Sequence, residues 1–240
     1  MTRLFVDDVS PNESIIRLDR QNSHYLTKVL RLTDNDRVTV FDGSGREYIC
    51  SLSFLEEVPF LKVIETLRSD RVPYKKIVIL QGLLKGKKMD LLVQKLSETG
   101  VSEVIPVITE RSQVRSTSKT ERWTKIAKES SRQCGRTDVL EISGPLKFEE
   151  AVDRISDRYQ SSLKIVFYEG GGGTLSSLET DISSSEEVVV FIGPEGGFSE
   201  HEIGILRNSG FHIVGLAGFI LRAETASIVA SGIIQYIISK

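Results

Sequence analysis

The residues best suited to chemistry sit in two glycine-bearing passages near the C-terminal end of a 240-residue chain. In the first, the apolar run Val188-Val189-Val190-Phe191-Ile192 enters Gly193-Pro194-Glu195-Gly196-Gly197, and Ser199 with Glu202 then has the spacing of a helix capping box. A buried strand, a tight turn and a helix start are therefore expected in succession. Glycines at the C-terminal end of a strand let backbone amides approach a ligand closely, at the edge where α/β sheets usually bind one. The alternative is a turn that needs glycine for its conformation only. In the second passage, Ile213-Val214-Gly215-Leu216-Ala217-Gly218-Phe219-Ile220-Leu221-Arg222-Ala223-Glu224-Thr225-Ala226, two charges interrupt apolar sequence. Unpaired burial of charge is costly, so Arg222 and Glu224 either serve a site or form a mutual ion pair at the start of the last helix, with Thr225 as its N-cap.

Other chemical signals are weaker. Gly82-Leu83-Leu84-Lys85-Gly86-Lys87-Lys88 is one residue short of a phosphate-binding loop and lacks the Ser or Thr after the lysine. Gly170-Gly171-Gly172-Gly173 lacks the spacing of a dinucleotide fingerprint. Two cysteines, Cys50 and Cys134, are too few for a disulfide framework, and histidines at 24, 201 and 212 have no metal spacing, so reduced thiols and no metal are expected.

The segment Thr120 to Arg136 reads as an amphipathic helix. At about 100° per residue, Lys125, Lys128, Arg132 and Arg136 fall in one stripe, with Trp123, Ile126, Ala127, Ser130 and Cys134 opposite. A solvated face usually mixes signs, whereas this stripe is basic, which favours RNA phosphate as its partner; Glu129 flanks it. Cys134, on the apolar side, is expected to be a small core residue rather than a nucleophile. Lys85, Lys87, Lys88 and Lys95 add charge beside a helix with Met89, Leu92, Val93 and Leu96 on its apolar side.

Charge is unevenly spread, net +6 over residues 1–136 and −8 over 137–240 within an overall −2. A basic half suits a phosphate backbone and an acidic half does not. The first 70 residues show short β-prone stretches: Leu4 to Val6, Arg37 to Phe41, Glu47 to Leu52 and Leu61 to Ile64. They also hold an Asp42 to Gly45 hairpin turn and one helix, Asn22 to Arg31, with Tyr25, Leu26, Val29 and Leu30 on one side. Arg68 to Lys76 reads as a linker. Beyond it, strands at 77–81, 104–108, 164–168, 188–192 and 213–216 alternate with helices at 88–99, 120–135, 200–209 and 225–238. That rhythm implies a mostly parallel sheet covered on both faces. The acidic N-terminus is unlike a signal peptide, and the Ile213 to Leu221 run is too short to span a bilayer, so a cytoplasmic protein without a membrane partner is expected.

Gly193-Pro194-Glu195-Gly196-Gly197 followed by Ile220-Leu221-Arg222-Ala223-Glu224-Thr225-Ala226 resembles the paired signature of the RsmE family of ribosomal RNA methyltransferases. The likeness covers almost the whole chain: His24-Tyr25-Leu26 through Val29-Leu30-Arg31, Glu98 through Val101 to Pro106, Glu110-Arg111-Ser112, Arg122-Trp123, and Glu129 to Gln133 with Arg136. The chain departs from the family pattern at Thr99, Ala217 and Phe219.

The resemblance implies a PUA-like β-barrel RNA-binding domain at 1–70, then a SPOUT-class α/β domain at 71–240 with a C-terminal trefoil knot. The implied cofactor is S-adenosylmethionine, held by Tyr168, Glu169, Ile192, Gly193, Pro194, Glu195, Gly196, Gly197, Leu216, Ala217, Gly218, Ile220, Leu221, Arg222, Thr225 and Ala226. Arg222, Glu224 and Glu195 are the implied catalytic groups. The implied RNA contacts are Arg3, His24, Lys28, Arg31, Lys87, Lys88, Arg111, Lys125, Lys128, Arg132, Gln133 and Arg136. The implied reaction is methylation of uridine N3 in 16S ribosomal RNA, within the assembled small subunit, by a homodimer that binds no DNA. A SPOUT enzyme acting on a ribose 2′-hydroxyl or a guanine nitrogen, and a non-catalytic RNA-binding assembly factor, are the alternatives.

Overall fold

Period-two alternation in the first 68 residues and long apolar strands after residue 76 dictate two different sheets. The computed structural model describes every residue except Met1, Asp8, Pro11, Glu13, Asp70, Arg71, Val72, Tyr74 and Ala217. The expected junction at 70/71 thus falls outside the described residues. Two compact units are formed, Met1–Val72 with Ser131–Val139, and Pro73–Ser130 with Leu140–Lys240.

In the first unit, strands β1 (Thr2–Phe5), β2 (Ile15–Arg17), β3 (Arg37–Phe41), β4 (Arg46–Leu55) and β5 (Val58–Arg68) lie in the order β1-β3-β4-β5-β2. β1 runs parallel to β3, and the other pairs are antiparallel. The expected Asp42 to Gly45 turn joins β3 to β4. Its Asp42 carboxylate accepts from the Ser44 amide at 2.8 Å, and Gly43 and Gly45 take φ of 87° and 86°. Alternating Tyr48, Cys50 and Leu52 of β4 are fully buried against Leu4, Val38, Val40, Leu61 and Leu26. The expected single helix is instead α1 (Arg20–His24) followed by one π-helical turn, Tyr25–Val29. That turn buries Leu26 but leaves Val29 and Leu30 exposed. Residues 131–139 join this unit through the Gly45 amide, which donates to the Thr137 carbonyl at 3.3 Å, and bridges from Gly43 and Ser44 to Asp138.

The second unit carries an all-parallel sheet. Its strands are β6 (Lys76–Gly82), β7 (Glu103–Ile108), β8 (Glu141–Ile142), β9 (Leu146–Lys147), β10 (Leu163–Phe167), β11 (Gly173–Thr174), β12 (Glu187–Ile192) and β13 (His212–Gly215). They lie in the order β11-β13-β10-β12-β6-β7-β8, with β9 also on β7. Its helices are α2 (Lys88–Glu98), α3 (Thr120–Cys134, whose last turn belongs to the first unit), α4 (Phe148–Arg158), α5 (Glu179–Ser184), α6 (Glu200–Asn208) and α7 (Ala223–Ile238). α4 and α6 cover one face of the sheet, where Phe191 stacks on Phe148 at 5.8 Å and meets Phe198 edge-on at 5.0 Å. Successive residues of a strand point to opposite faces. Ser227 of α7 hydrogen-bonds Gln81 of β6, so α7 covers the other face, with Thr99 and Ser231 hydroxyls 3.0 Å apart where α2 meets α7. No helix among the described residues is long and apolar enough to cross a membrane.

Candidate active site

Parallel register aligns the strand ends that carry the site. Phe167 pairs with Ile192, Ile192 with Gln81, and Phe167 with Val214, so the loops after β10, β12, β6 and β13 emerge along one edge of the sheet. Within the second unit they enclose a cavity of about 540 Å³. Of the residues expected to hold the cofactor, Tyr168, Glu169, Ile192, Gly193, Pro194, Glu195, Gly197, Leu216, Gly218, Ile220, Leu221, Arg222 and Ala226 line it. Ala217 lies outside the described residues. Gly196 and Thr225 are not in the lining: Gly196 turns its carbonyl to the Arg111 guanidinium at 3.3 Å, and Thr225 faces outward from the first turn of α7. Phe167, Gly171, Gly172, Gly215, Phe219, Ala223 and Lys88 complete the wall.

The turn is held by groups that the sequence does not single out. Gln81 is fully buried at the end of an apolar strand, a position where a lone amide requires partners. Its Nε2 donates to the carbonyls of Gly82 and Gly193 at 3.0 and 3.2 Å, and its Oε1 accepts from Ser227, which ties the turn to α7. A Cβ on Gly82 would collide with the backbone nitrogen of Pro194, so β6 and the turn approach as closely as glycine permits. The expected capping box forms: the Glu202 amide donates to Ser199 Oγ at 3.2 Å, and the Ser199 amide donates to the Glu202 carboxylate at 2.9 Å. The other Glu202 oxygen accepts from the Glu110 amide at 2.8 Å, which fastens the loop after β7 to the same turn.

Lys88 changes its assignment. Expected to face RNA, its ammonium instead lies 2.9 Å from Glu195 and 3.6 Å from Glu224, linking the glycine turn to the start of α7. The Lys85 amide donates to the same Glu195 oxygen at 3.1 Å. Burial by itself would raise the Glu195 carboxyl, but hydrogen bonds from Lys88 and from backbone amides outweigh it and hold the group below the usual carboxylate range. The Glu195 hydrogen bond is the main reason the Lys88 ammonium sits above the usual lysine value. Glu224 is buried and, among the described residues, its Oε2 has no hydrogen-bond donor. The expected ion pair of Glu224 with Arg222 is therefore replaced by one with Lys88. Arg222 itself, not Thr225, is the N-cap of α7. Its carbonyl accepts from Ala226 at 2.8 Å, while its exposed side chain makes no hydrogen bond or ion pair among the described residues.

The basic set divides. His24, Lys28, Arg31, Lys87, Arg111, Lys125 and Gln133 are exposed, and Lys128 and Arg132 half-buried. Arg132 donates to the Tyr25 hydroxyl at 2.7 Å and lies over its ring. Arg3 is half-buried and Arg136 buried, and both are committed to partners within the first unit, against expectation. Arg3 pairs with Glu47, covers the Phe41 ring and donates to the Arg136 carbonyl at 3.0 Å. Arg136 is 6% exposed and its Nε donates to Asp138 at 2.9 Å, because α3 ends at Cys134 and Gly135, at φ 86°, turns the chain away from the helical stripe. Cys134, expected in the core, is exposed; Cys50 is the buried thiol, and desolvation pushes it up to about 12.

Comparison with known proteins decides what this arrangement belongs to. An RNA methyltransferase domain model matches residues 71–235, and an RNA methyltransferase PUA domain model matches residues 18–57. A ribosomal RNA small subunit methyltransferase E from Bacillus subtilis is 31% identical over 225 residues, covering 89% of this chain and 86% of that protein. The chain belongs to the ribosomal RNA small subunit methyltransferase E family. The Aquifex aeolicus member of this family is 33% identical, over 76% of this chain and 78% of that protein. The family's Neisseria gonorrhoeae structure, bound to S-adenosyl methionine, superposes with a TM-score of 0.89 at 28% identity, covering 98% of this chain and 97% of that one. The parallel-sheet unit is thus an RNA methyltransferase fold, and the small sheet that precedes it is PUA-like.

Proposed function

We propose that the chain transfers a methyl group from S-adenosylmethionine to N3 of one uridine in 16S ribosomal RNA, and that the cavity at the strand ends holds the donor. The observation that carries this reading is the cavity's construction inside a chain of this family. Three glycine-bearing loops line the cavity, and the buried Oε2 of Glu224, 3.6 Å from the Lys88 ammonium, accepts no hydrogen bond among the described residues and can take one from a guest. When bound, S-adenosylmethionine supplies an electrophilic methyl on a sulfonium centre to a deprotonated ring nitrogen.

The chain's own residues then have distinct tasks. Gly193 to Gly197 and Leu216 to Ala226 surround the donor and exclude water. Lys88 holds Glu195 and Glu224 in place. Glu224 accepts the N3 proton, with Glu195 positioned by Lys88 and the Lys85 amide, and the free guanidinium of Arg222 stabilises the charge that develops on a uracil oxygen. N3 lies on the Watson–Crick edge, so the base must be unpaired or flipped. The exposed cations His24, Lys28, Arg31, Lys87, Arg111 and Lys125, the half-buried Lys128 and Arg132, and Gln133 receive the RNA.

The wider reading has a PUA-like RNA-binding domain at 1–70, a SPOUT domain at 71–240 knotted near its C-terminus, and a cytoplasmic homodimer acting on the assembled small subunit. Dimerisation is supported by Val229, Ile233 and Tyr236, which give α7 an exposed apolar stripe, and by Phe219 and Ile220, each 86% exposed at the cavity rim. Mass spectrometry of 16S ribosomal RNA from a strain lacking the gene tests the target. Loss of one N3-methyluridine, restored by the intact gene but not by one encoding Arg222→Ala, is the expected result; an unchanged modification pattern, or loss of a ribose or guanine methyl instead, contradicts it.

A further inference from the structure

A second cavity, of about 480 Å³, is lined by none of the residues that line the first. Leu83, Leu84 and Val114 form its apolar wall, and Ser116, Ser118 and Lys119 its polar rim. No acidic residue lines it. Among the described residues the hydroxyls of Ser116 and Ser118 have no hydrogen-bond partner, and the Lys119 ammonium has only a long contact, 3.4 Å, to the Gly86 carbonyl. Lys85 and Lys87, both exposed, border the same segment.

The rim is held in place. Arg115 donates to the carbonyls of Thr109 and Glu110 at 3.0 and 2.6 Å, which draws the 112–119 loop back onto the end of β7. At the far end the buried Trp123 donates its indole N–H to Asp90 at 3.1 Å, anchoring α3 on α2. The loop thus presents uncommitted donors on a fixed frame, the condition for reading a ligand without a large ordering cost.

One segment, residues 83 to 88, contributes to both cavities. Lys85 and Lys88 turn their amide and ammonium toward Glu195 at the first, while Leu83, Leu84 and Gly86 face the second. We propose that the second cavity is the subsite for the RNA nucleotide adjacent to the methylated one, with its phosphate on Lys119, Ser116 and Ser118 and its sugar or base edge against Leu84 and Val114. Cationic and hydroxyl donors without a carboxylate fit a phosphodiester, and an apolar wall beside them fits a nucleoside rather than a free inorganic anion. The inference rests on the reading that the first cavity holds the methyl donor, because that fixes where the target base must stand.

The test uses the full chain, a labelled 16S ribosomal RNA fragment containing the target uridine in its unmodified form, and S-adenosylmethionine. Lys119→Gln removes the cation, and Ser118→Trp fills the cavity from an exposed position; unchanged melting temperatures establish that both fold. Each is expected to weaken RNA binding by about five- to tenfold and slow single-turnover methylation at subsaturating RNA. Lys119→Gln also lowers the slope of log affinity against log salt by about one. Calorimetric affinity for S-adenosylmethionine should not change. Wild-type RNA affinity in both variants overturns the proposal, as does an equal loss of donor affinity, which would place the effect in the first cavity. If the wild-type chain binds no S-adenosylmethionine, the donor reading fails on its own, and the RNA-binding arm still decides whether nucleic acid occupies the second cavity.

Discussion

Charged residues around the donor cavity are used differently from those along α3. At the cavity Lys88 joins Glu195 to Glu224, and Glu202, at the start of α6, joins the Ser199 and Glu110 amides, while Arg222 stays exposed. Along α3, Lys125 is exposed and Lys128 and Arg132 half-exposed on one stripe. The first arrangement suits a small ligand, for which a displaced backbone would cost affinity steeply. The second suits a long polyanion, to which each cation would add a modest, salt-dependent increment. Substitutions in the two regions should therefore fail in different ways.

The largest effect is expected at Gly82. Gly82→Ala forces a methyl group into the Pro194 backbone, so the turn must move; about 1–3 kcal/mol of stability should be lost in urea unfolding, together with donor binding. Retained stability and donor affinity would mean that the close approach of β6 to the turn is not required.

Lys88→Met is expected to come next. It leaves Glu195 and the buried Glu224 without their shared cation, and charge-assisted hydrogen bonds of this kind are worth about 1.5–3 kcal/mol, so donor affinity should fall by roughly one to two orders of magnitude by calorimetry. The pH dependence follows from the two shifts. The depressed Glu195 carboxyl contributes above its unfolded value near 4 and is lost as pH falls through its lower folded value. The elevated Lys88 ammonium contributes below its unfolded value near 10 and is lost as pH rises through its higher folded value. The contribution of this bridge to folding stability should thus be level from about pH 5 to 9 in the wild type. A midpoint near neutrality would show that another group governs the site.

The smallest effects belong to α3. Lys125→Ala and Lys128→Ala should each weaken RNA binding a few-fold and lower the salt slope by about one, with no change in donor affinity. Arg136→Ala provides the contrast. Its guanidinium is buried against Asp138, so its removal should lower the unfolding midpoint while leaving the salt slope unchanged. A fall in salt slope without loss of stability would return Arg136 to the RNA face.

What the sequence made legible was local. The β12 run, the glycine turn and the Ser199–Glu202 box are contiguous, and each appears where it was expected. The parallel sheet followed from alternating strands and helices. α4 went unexpected although Phe148, Ala151, Val152 and Ile155 have helical spacing and are buried, and the short edge strands β8, β9 and β11 carry too few residues for any period. Arg136 was misplaced because a helical wheel continues past a stop; Gly135 was the available signal. Lys88 and Gln81 depend on tertiary register. Nothing in Lys85-Gly86-Lys87-Lys88 tells which lysine points inward until the first turn of α2 is placed against the Gly193 to Gly197 turn, and Gln81 finds its partners 112 and 146 residues away.

The central claim is that the cavity between the Gly193 to Gly197 turn and the Leu216 to Ala226 passage is the methyl-donor site. A crystal structure of the chain grown with S-adenosylmethionine tests it most directly. The donor is expected in that cavity, with its methyl group open to the side where Arg222 and Glu224 stand; a donor bound anywhere else, or clear density for an empty cavity at saturating donor, contradicts this assignment.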